Sequence, residues 1–176
     1  MIEFFVGDVC EQGTAFFLEG VGLVTADHVL QKLPPGNNAV LYRPSAPGKK
    51  YKAMPISRRC PHRDLAILDH DVLASDYLSL LAATYPEHTN DDIVALGFPD
   101  YGPGDQLGKR RGHIIGRATK RGVKLLEVSA SLPGGISGGP ILNDRHQVVA
   151  IAHRGGNQEH KQLAVEISEL LNLAKE

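Results

Sequence analysis

Apolar residues occur in short runs separated by turn residues. Segments 2–6, 14–18, 21–25, 39–43, 51–56, 65–68, 93–97, 113–118, 123–128, 140–142 and 148–153 carry the apolar or alternating pattern of strands. Between them lie strong turn signals: Pro34-Pro35-Gly36-Asn37-Asn38, Pro47-Gly48-Lys49-Lys50, Gly102-Pro103-Gly104-Asp105 and Gly155-Gly156-Asn157. Helical spacing is confined to the end of the chain. There Leu163, Ile167, Leu170, Leu171 and Ala174 predict one amphipathic closing helix over 162–174. A helical turn is also predicted over Val29-Leu30-Gln31-Lys32-Leu33, ended by Pro34-Pro35. Many short strands and few helices predict an all-β barrel or sandwich. Segment 75–88 reads as a crossover, giving one domain with halves of about 1–75 and 90–160.

Composition narrows the class. The 176 residues are 42% hydrophobic and 22% charged, which suits one folded domain rather than a disordered chain. Lys and Arg number 19 against 20 Asp and Glu, a net charge of -1, so no bulk field points to nucleic acid or a membrane surface. Cys10 and Cys60 are too few for a disulfide framework and read as reduced thiols. No apolar run reaches the ~18 residues of a membrane span, and Met1-Ile2-Glu3-Phe4-Phe5-Val6 lacks a basic leader. The expected location is the cytoplasm.

Three clusters carry candidate chemistry, in the order His, Asp, Ser. Gly13-Thr14-Ala15-Phe16 precedes Thr25-Ala26-Asp27-His28, Arg63-Asp64 opens an apolar strand, and Leu132-Pro133-Gly134-Gly135-Ile136-Ser137-Gly138-Gly139-Pro140 sets a serine in a glycine-rich turn. A serine hydroxyl attacks poorly until a neutral imidazole takes its proton. A carboxylate on the other ring nitrogen orients that imidazole and stabilises its charge. Flanking glycines let backbone N–H groups turn toward a developing oxyanion.

These motifs, with Leu96-Gly97-Phe98-Pro99, Val148-Val149-Ala150-Ile151-Ala152 and Leu163-Ala164-Val165-Glu166-Ile167, resemble the chymotrypsin/trypsin-like serine peptidases, in particular the bacterial and viral-style members. The resemblance spans nearly the whole chain. It implies a double six-stranded β-barrel with a C-terminal α-helix. It also implies hydrolysis of peptide bonds through an acyl-enzyme, with His28 as base, Asp64 as its orienter and Ser137 as nucleophile. The oxyanion hole would be the N–H groups of Gly135 and Ser137. Substrate contacts would fall on Ser131, six residues before the nucleophile, and on Ala152, His153 and Arg154. A neutral Ser131 argues against selection of Lys or Arg. A small or medium apolar residue at the cleaved bond is expected; His153 and Arg154 would instead favour an acidic one, unless Arg154 faces solvent and His153 braces the triad or is merely half-buried.

Departures from the family pattern matter. Asp27 precedes His28 where Ala is usual, and is expected to face solvent. Val29 follows His28, so the cysteine of secreted members is missing. Ile136 precedes Ser137, so no carboxylate is there to capture a freed N-terminal amine, and activation by N-terminal clipping is not expected. Control would come from a regulatory protein or a fused domain. An alternative is a silent or partner-activated module that binds proteins in a bacterial defence or signalling system. No metal or organic cofactor is expected. Cys60-Pro61-His62 and Asp69-His70-Asp71 look metal-like but supply no four convergent ligands. Lys109-Arg110-Arg111 with Lys120-Arg121 reads as solvated strand ends. The partner is a protein or peptide substrate.

Overall fold

The computed structural model describes residues 1–102, 104–153 and 161–176, without the side chains of residues 55–57. In the first half, alternating apolar residues build strands β1 (Ile2–Val6), β2 (Val9–Gly13), β3 (Phe16–Leu18), β4 (Gly22–Thr25), β5 (Ala39–Tyr42), β6 (Lys50–Cys60), β7 (Leu65–His70) and β8 (Ser79–Leu80). They form one sheet in the order β2-β1-β5-β6-β7-β4-β3-β8, antiparallel except for the β3–β8 pair. Its concave face buries Ile2, Leu23, Leu30, Ala53 and Ala66, each at 0% exposure.

The second half contains β9 (Asp92–Gly97), β10 (Gly108–Lys120), β11 (Val123–Val128), β12 (Pro140–Leu142), β13 (Val148–Ala152) and β14 (Gln162–Glu166). These close into a six-stranded barrel in the order β10-β11-β14-β13-β12-β9. Every residue of β13 is buried, as suits a strand covered on both faces. Helix α1 (Ile167–Leu173) follows directly. Among the described residues, no helix is long and apolar enough to cross a membrane.

The all-β fold with a C-terminal helix is as expected; one detail is refined and one is corrected. Only the second half is a closed barrel; the first is a curled eight-stranded sheet. The β1–β2 hairpin swings outward with Phe5, Val6 and Val9 exposed. At the other edge, β8 is only two residues long. Neither edge strand reaches the other, and β3 and β5 instead line an apolar cavity of about 610 Å³. The closing helix is also shorter than 162–174. Residues Gln162–Glu166 form β14, paired with both β11 and β13. Leu163 and Val165 alternate there at the period of a strand, and two open sheet edges outweigh the helical spacing read from the same leucines.

The halves share one core. Val24, Leu65 and Ile67 from the curled sheet pack in the same cluster as Ile151, Val165 and Leu170. The connection is stitched onto the barrel as well: the Val148 N–H donates to Leu81 O at 2.8 Å, and the Ala83 N–H to Val148 O at 2.9 Å. A third tie joins the β6–β7 turn to the end of the chain, where Arg63 pairs with Glu169 of α1 at 3.4 Å and with Glu176 at 2.7 Å.

Candidate active site

His28 is presented by a 3-10 turn (Asp27–Leu30) that starts as β4 ends, with the Val29 N–H donating to Ala26 O at 3.2 Å. Asp64 is presented by the β6–β7 turn. The Arg63 N–H donates to Cys60 O at 3.1 Å, closing a turn with Pro61 at its second position, where proline presets φ. Asp64 then takes φ of 55°, a left-handed conformation that Asp tolerates better than most residues. The metal-like triplet Cys60-Pro61-His62 is therefore the turn that aims Asp64. In the other triplet, His70 packs edge-on against Phe17 and Asp71 accepts from the Lys52 N–H at 2.6 Å.

Asp64 is buried and takes three hydrogen bonds. Its Oδ1 accepts from the His28 backbone N–H at 2.8 Å, and its Oδ2 accepts from His28 Nδ1 at 2.7 Å. The same Oδ2 accepts from His153 Nδ1 at 2.5 Å. An ionised carboxylate only accepts, so each imidazole carries a proton on Nδ1 and leaves Nε2 for other work. Burial opposes the charge on Asp64, but the hydrogen bonds from His153 and His28, with the field of His28, outweigh it and hold the carboxyl well below its usual range.

Ser137 lies half-buried in the loop between β11 and β12, clamped on both sides. Its carbonyl accepts from the Thr14 N–H at 2.9 Å. The next residue, Gly138, donates to Ala152 O at 2.9 Å, and the Ala152 N–H returns a bond to Gly139 O at 2.8 Å. A Cβ on Gly138 would lie 2.3 Å from Thr25 Oγ1 and 2.7 Å from Ala26 N, so this backbone is pressed against the strand that leads to His28. The loop thus abuts the residues just before His28 and just before His153. Among the described residues, no hydrogen bond joins Ser137 Oγ to His28.

The glycine turn has a defined orientation. Gly135 adopts φ of 86°, and a Cβ there would meet Phe98 O at 2.2 Å. The Gly134 carbonyl accepts from the Asp100 N–H at 3.3 Å. In a planar trans peptide the Gly135 N–H must then point away from Asp100. Among the described residues, neither the Gly135 nor the Ser137 N–H has a hydrogen-bond acceptor. Thr14 fixes the next peptide: its buried Oγ1 donates to Gly135 O at 2.7 Å and accepts from the Phe98 N–H at 3.1 Å.

The remaining predicted residues divide. Asp27 is buried rather than solvent-facing, and its carboxylate pairs with Arg59 Nε at 2.6 Å. Ala152 is buried and meets the nucleophile loop through its backbone. Ser131 is exposed just beyond β11. His153 is engaged by Asp64, which removes its Nδ1 from the wall expected to greet an acidic substrate. Arg154 lies outside the described residues. Thr14, Arg59 and Asp100 position the site, and of these only Thr14 fell inside a motif that the sequence singles out. His28, Asp64 and His153 are the described residues whose ligand atoms come close enough, within 4.8 Å, to suggest a metal. Their fit is poor. Both Nδ1 atoms already sit at hydrogen-bond distance from one oxygen, and an ion ~2.0–2.2 Å from all three would have to push Asp64 back.

Solved serine proteases share this architecture. The Rv3671c protease from M. tuberculosis, in its active form, matches at a TM-score of 0.82 with 22% identity, covering 99% of this chain and 78% of that one. An inactive form of the same protease gives 0.74 with 23% identity, over 93% of this chain and 82% of that one. A serine endoprotease from Yersinia pestis gives 0.77 with 20% identity, over 99% of this chain and 60% of that one. These likenesses carry the fold; the profile of the trypsin-like peptidase domain matches residues 13–151, and the chain belongs to that family. It is a trypsin-like serine protease, a hydrolase acting on peptide or protein substrates. No curated protein matches.

Proposed function

We propose that the protein is a serine endopeptidase working through an acyl-enzyme on Ser137. His28 Nε2 takes the Ser137 Oγ proton as Oγ bonds to the carbonyl carbon of the substrate. The imidazolium so formed keeps its Nδ1–H on Asp64, whose charge stabilises it. The Gly135 and Ser137 N–H groups receive the oxyanion; one such donor is worth about 2.7–4 kcal/mol in other serine peptidases. His28 then returns the proton to the leaving amine, and water repeats the sequence to free the acid and restore Ser137. The observation that carries this reading is the two-point grip of Asp64 on His28 beside a serine loop that packs against the same strand end. The missing Ser137–His28 bond does not count against it, because such bonds are often long without substrate.

For specificity, we propose a neutral primary pocket over Ser131 and Ala152. Ser131 brings no charge to it, and His153 is occupied by Asp64.

Labelling with a fluorophosphonate probe, read by intact mass, tests the nucleophile. One adduct on the wild type, absent in Ser137→Ala, is the expected result. No adduct on the wild type, alone or with candidate partner proteins, would reject Ser137 as an activated nucleophile.

A further inference from the structure

Two imidazoles share one carboxylate oxygen here: His28 Nδ1 at 2.7 Å and His153 Nδ1 at 2.5 Å from Asp64 Oδ2. A hydroxyl or an amide could hold Asp64 equally well from the position of His153. A histidine differs in one respect, that it can gain a second proton at Nε2 while still donating from Nδ1. Its side chain is one-third exposed, so that proton has access from solvent.

We infer that His153 is a positioning residue for Asp64 whose own protonation weakens the His28 base, so that the loss of activity on acidification is shared between two imidazoles rather than set by His28 alone. The inference rests on the triad proposed above. With His153 neutral, the single charge of Asp64 is undivided when His28 becomes an imidazolium during attack by Ser137. With His153 already cationic, the same carboxylate faces two cations whose ring centres are 6.0 Å apart. At that separation the repulsion slows proton transfer roughly 10–100-fold at an effective dielectric of about 20.

Among the described residues, the titratable or charged groups facing His153 are Asp64 from the β6–β7 turn and His28 from the 3-10 turn. Its own strand brings only Ala152 and Ile151 beside it, and the backbone opposite is Leu163, whose carbonyl accepts the His153 N–H at 3.3 Å. Asp27 and Arg59, adjacent to His28, are paired with each other.

The test compares wild type, His153→Asn and His153→Ala in the pH dependence of the second-order rate of fluorophosphonate labelling. An NMR titration of the His28 ring, which needs no activity, accompanies it. Asn places its Nδ2 where the histidine Nδ1 stands, so it keeps the donor and removes the titration. In the wild type the two imidazoles repel each other's protons, so log rate should fall through the imidazole range in a broadened limb whose slope stays below one. In His153→Asn the limb should be a single titration of slope one, at a neutral-pH rate above that of His153→Ala because the donor to Asp64 is kept. His153→Ala should also give a slope of one, at a rate about tenfold below that of His153→Asn at every pH. His28 should titrate at a higher pH in His153→Asn than in the wild type, because the competing cation is gone.

Equal slopes in wild type and His153→Asn, with His28 titrating at the same pH in both, would overturn the inference. If the wild type is not labelled at all, the triad reading fails by itself. The His28 titration then decides the coupling: a raised value in His153→Asn upholds it and an unchanged value rejects it.

Discussion

The turn that presents Asp64 and the loop that presents Ser137 differ in which residue bears the unusual backbone. In the β6–β7 turn the functional residue itself takes the left-handed conformation, at φ of 55°. Three hydrogen bonds to its carboxylate help to hold it there. In the serine loop the left-handed positions belong to Gly135 and Gly138, and Ser137 is spared. Those glycines serve a second end, since a Cβ on either would strike backbone or Thr25 within 2.3 Å. The Asp64 turn holds a buried side chain because His28 and His153 bind its carboxylate; the serine loop has no room for one at its glycines, because their backbone is pressed against Phe98 and Thr25.

Breaking each turn should therefore give different signatures. Asp64→Asn keeps a residue that accepts left-handed φ, so the turn should persist with stability lowered at neutral pH by the loss of the carboxylate, while kcat/KM falls on the order of 10⁴-fold, the size known for this substitution in the triad template. Steady-state kinetics beside a urea melt checks both halves of that statement. Gly138→Ala should act through the backbone instead, lowering unfolding free energy by at least about 2 kcal/mol at every pH through strain and overpacking. A wild-type urea midpoint in that variant would show the loop to be looser than described.

Thr14→Val keeps shape but strips the Oγ1 bridge between Phe98 N–H and Gly135 O, and should cost about 1–3 kcal/mol with a drop in kcat larger than any change in KM. Acid stability separates the turns further. Because the Asp64 carboxyl is held below its usual range in the fold, its stabilisation is complete above the unfolded value of about 3.9 and is lost as pH falls below it. Urea midpoints of wild type and Asp64→Asn should converge as pH drops below 4. The smallest effect is expected from Asp27→Asn: Arg59 is about a third exposed, so the pair should contribute only about 1 kcal/mol, with kcat/KM within a few-fold of wild type.

Much of this was legible in the chain. The His28, Asp64 and Ser137 motifs each combine a chemical group with the turn or glycine residues that aim it. Local sequence therefore predicts local presentation. That His153 braces the triad was one reading of its motif; choosing it needs a partnership with Asp64 that spans 89 residues and depends on where β13 ends against the curled sheet, which no local pattern encodes. Asp27 turned inward for a similar reason, because Arg59 on β6 was waiting for it across the sheet. The open first half escaped prediction because closure depends on how far edge strands extend. β2 was hidden by its polar composition, Val9-Cys10-Glu11-Gln12-Gly13, and β8 by its brevity. The last strand was read as helix because leucines spaced by four satisfy either period over so few residues.

The tie from Arg63 to Glu169 and Glu176 has a consequence for motion. It joins the residue just before Asp64 to the helix that ends the second half, so the amides of α1 and of the β6–β7 turn share one opening event. In native-state hydrogen exchange the two segments should lose protection together, and replacing Arg63 with Ala should let the helix exchange ahead of the turn.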